Sequence, residues 1–358
     1  MHKIKKTWIA FGAVLLQLFT IFSPAALAVQ PLSADDIAVD AVHFPDKAFR
    51  DWILNPNHLN GFGSDGTLTT EERNQITQMD LSDQNIENLT GIEHFPALTV
   101  LYCSRNRLTS LDVSQNTLLE ELYCSSNQLT QLDLSQNPNL RSLYCASNFL
   151  TELRIENCSQ LKSLNCEKNR LKELDLSGNP ELIQLYSRHN QLTQLDVSHN
   201  KKLVFIETFD NQLTSFDCTM LSDLEFLHID YNKLTSLDMS QNPNLKGNGF
   251  VAANNQLNEL TMPNIPGVTI EANVFYEQNP KQGYETVRWF YDPMYAHEVQ
   301  ETDRIPADGQ KLYAKWIANP YTVNYHPNGG QGEMLPQAVE YDQRFSLTPN
   351  AFTRIGYL

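Results

Sequence analysis

From residue 98 onward the chain repeats itself with a fixed period of 21 residues. Four units read LTVLYCSRNRLTSLDVSQNTL, LEELYCSSNQLTQLDLSQNPN, LRSLYCASNFLTELRIENCSQ and LKSLNCEKNRLKELDLSGNPE, and three more open LIQLYSRHNQL, LVFIETFDNQL and LEFLHIDYNKL. A last unit, from Phe250 to Met262, keeps Asn255, Leu257 and Leu260 after a short insertion around Gly247 to Gly249. Upstream, Ile76 to Ala97 is a looser unit with Met79, Leu81, Ile86, Leu89 and Ile92 in the apolar phases. A unit this short cannot enclose a core by itself. Its apolar edges are buried only against identical neighbours, so the period predicts a stacked solenoid.

Within one unit the alternation of Leu101 and Cys103 with Val100, Tyr102 and Ser104 is the period of a strand, sending two side chains inward and three outward. Asn106 then turns the chain. Its equivalents Asn127, Asn148, Asn169, Asn190, Asn211 and Asn232 stack along the solenoid, where each amide can satisfy backbone groups that a turn leaves unpaired. Leu108 and Leu111 return to the core. The LTSLDVSQN half is too short for a full helix, which predicts extended or 3₁₀ structure on the convex side.

Cys103, Cys124, Cys145 and Cys166 follow the same 21-residue interval, continued by Leu81 upstream and by Ser187, Thr208 and Ile229 downstream. A small, weakly polar thiol suits a narrow inward position. The competing reading is a metal site, but ligands strung along strands ~4.8 Å apart do not converge on one tetrahedral ion. Parallel Cβ vectors disfavour disulfides along the ladder, so these thiols are expected buried and reduced. Cys218 takes the apolar place of Val113 and Leu134. Cys158 replaces the turn asparagine seen at Asn116 and Asn137, and its state is left open.

The LxxLxCxxNxLTxLDLSxNP pattern resembles the internalin-type surface proteins of Gram-positive bacteria, specifically their subgroup with 21-residue repeats and a cysteine ladder. The resemblance implies an α/β-type solenoid: a right-handed leucine-rich-repeat horseshoe with a parallel concave β-sheet, a small helical N-terminal cap and C-terminal β-rich modules. It also implies adhesion to host proteins, mucins or other glycans. In the cap, Phe44-Pro45-Asp46 begins a short helix with Phe49, Trp52 and Ile53 on one face, and residues 69–77 suggest a second helix led by Thr70, Glu71 and Glu72. Between them GFGSDGTLTTEE resembles half of a calcium loop. Two of its carboxylate positions are Gly61 and Gly63, so a structural remnant is expected rather than a metal site.

Beyond Pro263 the composition shifts to aromatics and prolines. Residues 321–358 are similar to the opening of an internalin B-type repeat, and Gly283, Tyr284, Val287 and Trp289 with LYAKWIAN resemble the latter part of a divergent preceding copy. The second copy stops before a counterpart of Trp289, and no wall-sorting motif follows. The reading is therefore of a truncated chain whose residues 321–358 cannot bury enough surface to order themselves. The expected division is a signal peptide at 1–28, a linker and helical cap at 29–78, repeats at 79–262, a divergent module at 263–320 and a truncated module at 321–358.

The leader reading rests on Lys3, Lys5 and Lys6, an apolar run from Trp8 to Phe22, and Ala26-Leu27-Ala28 before the cut; an uncleaved anchor is the alternative. It places the protein outside the cell, secreted, or at the cell surface in a full-length form. The chain carries 26 Lys and Arg against 42 Asp and Glu, a net charge of -16, which disfavours nucleic acid and direct membrane adsorption. No HExxH, GxSxG or phosphate-cradling glycine loop occurs, and His189 and His228 lie in different columns without a nucleophile, so neither enzyme chemistry nor a cofactor is expected. The expected activity is binding of an extracellular protein or glycan by the concave face. An inert spacer or non-functional fragment is the alternative.

The outward column Tyr102, Tyr123, Tyr144, Asn165, Tyr186, Glu207 and His228 is the candidate site. Phe205, Phe226 and Phe209 are expected together near its far end, and Tyr231 at the strand edge. Tyrosines present an apolar face and a hydroxyl, which suits sugars and protein hot spots alike. The opposing account is that tyrosine belongs to the repeat and stacks for sheet stability.

Overall fold

The computed structural model describes residues 35–246 and 249–353; the leader expected at 1–28 lies outside them. Each coil opens with a short strand, and Gln78–Asp80, Val100–Tyr102, Glu121–Tyr123, Ser142–Tyr144, Ser163–Asn165, Gln184–Tyr186, Phe205–Glu207, Phe226–His228 and Phe250–Val251 form one parallel nine-stranded sheet in chain order. Register never slips between the full coils: Tyr102 pairs with Tyr123, Tyr123 with Tyr144, Tyr144 with Asn165, and Asn165 with Tyr186. The period of two then buries Leu101, Leu122, Leu143, Leu164 and Leu185, and with them Cys103, Cys124, Cys145 and Cys166. The convex half is extended in places, as parallel pairs of Gln131–Asp133 with Glu152–Arg154 and of Ser236–Asp238 with Glu259–Thr261, and tightly turned elsewhere.

Both bends of the coil are held by buried asparagines. At the bend after the concave strand, Asn127 Nδ2 donates to the carbonyls of Cys103 and Cys124, while its Oδ1 accepts from the Leu108 N–H, all at 3.0 Å. Asn148 repeats this with Cys124, Cys145 and Leu129. The residue before each asparagine is left-handed: Arg105, Ser126, Ser147, Lys168, His189, Asp210 and Tyr231 have φ between 51° and 58°. For Tyr231 this is a strained conformation. At the convex bend Asn116 Nδ2 donates to Ile92 and Phe95, and Asn137 to Val113 and Asn116. Cys158 makes the equivalent contacts with a thiol, its Sγ lying 3.5 Å from the Leu134 carbonyl and 3.6 Å from that of Asn137.

The two ends of the stack are closed differently. At the front, helix Lys47–Leu54 buries Phe49, Trp52 and Ile53. Its N-cap Asp46 accepts from Phe49 N–H and also from Glu87 and Asn88 N–H of the first coil, so one carboxylate caps the helix and fastens it to the solenoid. Helix Thr70–Gln75 is shorter than expected and opens with a Thr69–Glu72 capping box. Glu72 is thereby engaged with Thr69, and Asp65 accepts from Thr67 N–H, which turns the remains of the loop inward as backbone caps. Gly91, at φ +107°, lets the first coil approach the cap: a Cβ there would stand 2.3 Å from the Phe44 ring.

At the back, Gln278 takes the asparagine role, accepting from Leu257 N–H and donating to the carbonyls of Ala252 and Phe275. Helix Asn273–Tyr276 replaces the next concave strand, and buried Trp289 packs edge-on against Phe275 at 5.5 Å. The convex strand Glu259–Thr261 pairs antiparallel with Lys311–Ala318, which pairs in turn with Tyr284–Phe290. Strands Tyr284–Phe290 and Lys311–Ala318 are thus built onto the open end of the repeats. In the final stretch Pro320–Val323 pairs with Gln337–Glu340, and Tyr341 lies on Gly283, where a Cβ would come within 2.2 Å of its ring. The stretch expected to lack order therefore forms a local hairpin, yet no residue from 321 to 353 is buried.

All six cysteines are buried free thiols. Burial pushes Cys124, Cys158, Cys166 and Cys218 up to about 12 and holds Cys103 and Cys145 well above the ordinary thiol range. Native alkylation followed by mass spectrometry should leave all six unmodified and uncrosslinked; a crosslink between Cys103 and Cys124 would contradict the packing. Asn148→Ala strips partners from three buried backbone groups and should cost about 3 kcal/mol in chemical denaturation. Cys158→Asn, which extends the convex ladder, should be neutral or stabilising in the same assay.

Candidate ligand-binding face

The outward side chains of the concave sheet form columns because the register is constant. In the central column Tyr102 and Tyr123 stack with ring centroids 4.6 Å apart and planes at 17°, and Tyr123 and Tyr144 at 4.9 Å and 10°. The rings cover one another, so they are half-buried and offer edges and hydroxyls rather than open faces. The Tyr123 hydroxyl donates to Glu121 at 2.8 Å, and that of Tyr144 lies 3.3 Å from Ser163 Oγ. Burial raises the phenols of Tyr102, Tyr123 and Tyr186, which keeps them protonated donors.

Past Asn165 the character changes. Tyr186 meets Phe205 at 5.0 Å, Phe205 meets Phe226 at 5.5 Å, and the Lys246 ammonium sits 4.9 Å above the Phe226 ring. Phe209 does not join them: Glu207 stands between it and Phe205 on the same face of the chain. It packs instead under the Arg188 guanidinium at 5.3 Å and against His189 at 5.1 Å. Tyr231 is 53% exposed in its left-handed turn and lies outside the ring contacts.

Sequence reading overlooked the charge between these groups. Arg188 is paired with Glu167 on one side and with Glu207, at 3.0 Å, on the other. The signal was present in the outward column Ser104, Ser125, Ala146, Glu167, Arg188, Phe209 and Asp230, whose small residues give way abruptly to charged and aromatic ones. His228 Nε2 is buried without a hydrogen-bond partner among the described residues, and burial raises the carboxyl of nearby Asp230.

The convex surface offers a rival set of grooves, lined by Asp112 and Asp133 in one place and by Asp175, Asp196 and Asp217 in another. These carboxylates are engaged in local turns: Asp133 accepts from Ser135 N–H, Asp175 from Ser177 and Asp196 from Ser198, at 2.8 to 2.9 Å. Among the described residues no three His, Cys, Asp or Glu converge on a metal position.

Residues 96–137 match the leucine-rich-repeat family model, and residues 321–358 match the Listeria-Bacteroides repeat domain. Internalin J of Listeria monocytogenes is 33% identical over 77 residues, 20% of this chain and 8% of that protein. The chain carries leucine-rich repeats and is similar to internalin-type proteins. Among solved structures, the functional domain of internalin J, described as including a cysteine ladder, is 25% identical over 64% of this chain and 62% of its own, with a TM-score of 0.38. A leucine-rich-repeat protein of Leptospira interrogans is 31% identical over 48% of this chain and 46% of its own, with a TM-score of 0.44. The chain thus spans a small fraction of the curated internalin it matches and under two thirds of either structure.

At the far end of the concave sheet Asp230 carries a pH-dependent cost. Its neighbours are His228, Asp210 and Glu207, and desolvation is the largest cause of its raised pKa. A carboxyl raised in the folded state costs stability as pH climbs from its unfolded to its folded value, and that cost persists at neutral pH. Asp230→Asn should therefore raise the melting temperature at pH 7, with the gain shrinking as pH falls through the raised folded pKa and gone once the pH is below the unfolded carboxyl value near 4.

Proposed function

We propose that this internalin-type protein acts by binding rather than catalysis, holding an extracellular protein or glycan ligand against its concave sheet, and that it works outside the producing cell as an adhesin. The observation that carries the reading is the uninterrupted parallel sheet with aromatic residues on its open face, Tyr102, Tyr123, Tyr144 and Tyr186 in one column and Phe205 and Phe226 in the column beside it. Aromatic edges with hydroxyls and an adjoining Arg188 are the groups that concentrate binding energy at protein interfaces. The face is long, roughly 30 Å along the column at about 4.8 Å per strand, which favours an extended ligand over a small molecule. His228 lies beside Asp230 at the far end of the same face and belongs to the proposed site, with Phe209 and Tyr231 as outlying contacts.

A structural role for the tyrosines has its own support in their face-to-face stacking and partial burial. The experiment is a glycan and host-protein array probed with the purified chain, followed by a Tyr123→Ala and Tyr144→Ala double variant. Affinity for the ligand found should fall at least tenfold, roughly 1.4 kcal/mol, with the circular dichroism of the solenoid retained. Full affinity in a folded double variant would move the site to the convex side or to the C-terminal modules.

A further inference from the structure

The aromatic column lacks one rung. Tyr144 has Tyr123 against one ring face and Tyr186 has Phe205 against one of its own, but the strand between them carries Asn165. Strands stack about 4.8 Å apart, so omitting one ring from the column leaves the flanking rings roughly 9.6 Å apart, the width of one inserted ring. The vacant place is lined with hydrogen-bonding groups. Asn165 Oδ1 accepts from Glu167 N–H at 3.1 Å, which leaves its Nδ2 without a partner among the described residues. On one rim the Tyr144 hydroxyl, Ser163 Oγ and Gln184 Oε1 are linked at 3.3 Å each. On the other, Glu167 is ion-paired with Arg188.

We propose that the gap over Asn165 is a subsite for one pyranose ring of a glycan, held between Tyr144 and Tyr186; this rests on the reading of the concave sheet as the binding face. A pyranose has two C–H faces for the phenol rings and a hydroxyl edge for the Asn165 amide, the Glu167 carboxylate and the Tyr144 hydroxyl. A phenyl or indole ring of a protein ligand would match the width but bury the Asn165 amide N–H groups without partners, which is costly. The neighbouring coils, where tyrosine occupies the position, have no such gap, so a glycan chain would be gripped at one residue and only edge-contacted along the rest of the column.

Saturation-transfer NMR tests this on the purified chain with methyl β-D-galactopyranoside, methyl α-D-mannopyranoside and N-acetyl-D-glucosamine at millimolar concentration. At least one should receive saturation at its ring protons. Asn165→Ala should weaken binding about tenfold by removing the amide. Asn165→Tyr, which restores the side chain used by the neighbouring coils and completes the stack, should abolish binding without lowering the melting temperature. No transfer to any of the three sugars, transfer that persists in Asn165→Tyr, or preferential binding of N-acetyltryptophanamide at the gap would overturn the subsite. Array binding lost in the Tyr123 and Tyr144 double variant but kept in Asn165→Tyr would leave the face reading standing and the subsite rejected. Binding untouched by either variant would reject both.

Discussion

Side-chain amides that satisfy the backbone at the bends are the interaction on which the rest of this solenoid depends. A coil of 21 residues must turn sharply inside a dry stack, and each turn exposes N–H and C=O groups that neither water nor a regular ladder reaches. Asn127 answers with one bond to its own strand end and two to the preceding coil, and Asn148 does the same one coil later. Because these bonds cross between coils, they set stacking distance and register together. The constant register makes columns of the inward thiols and outward tyrosines alike. Where the convex ladder substitutes Cys158, the thiol keeps contact with the same class of carbonyl, so the fold tolerates the change.

A stack of identical coils must also end. The front is sealed by a helix whose capping carboxylate, Asp46, reaches two backbone N–H groups of the first coil. The back ends by imitation: Gln278 does the work of an asparagine, a short helix stands where a strand is due, and Trp289 closes the core over Phe275. The convex strands continue into the C-terminal module as a shared five-stranded sheet, which makes that module part of the repeat stack's termination.

On the concave face, stacking and recognition compete for the same atoms. Rings at strand spacing cover one another, so a continuous tyrosine column stabilises the sheet while hiding the surfaces a ligand could use. Departures from the repeat are therefore the informative positions. Asn165 opens the column, and Glu167, Arg188 and Glu207 bring fixed charge beside it. The charged group is held by internal pairing, which presents its donors and acceptors in one arrangement rather than as loose surface charge.

Much of this architecture is legible in the sequence because neighbouring coils are copies of one another. A period of 21 combined with an alternation of two dictates that Leu101 and Cys103 point inward, that Tyr102 meets Tyr123 and Tyr144, and that Asn106 and its equivalents bridge coils; any stack of identical units produces those contacts. The apolar face of Phe49, Trp52 and Ile53 was readable for the same kind of reason, local periodicity. What escaped the sequence lies off that lattice. Phe209 packs against Arg188 and His189 rather than with the Phe205 and Phe226 pair, and Gln278 inherits a role from residues of another type. Those outcomes depend on which side chains meet across irregular joints and how charge and volume are shared there, and only the assembled tertiary structure decides that.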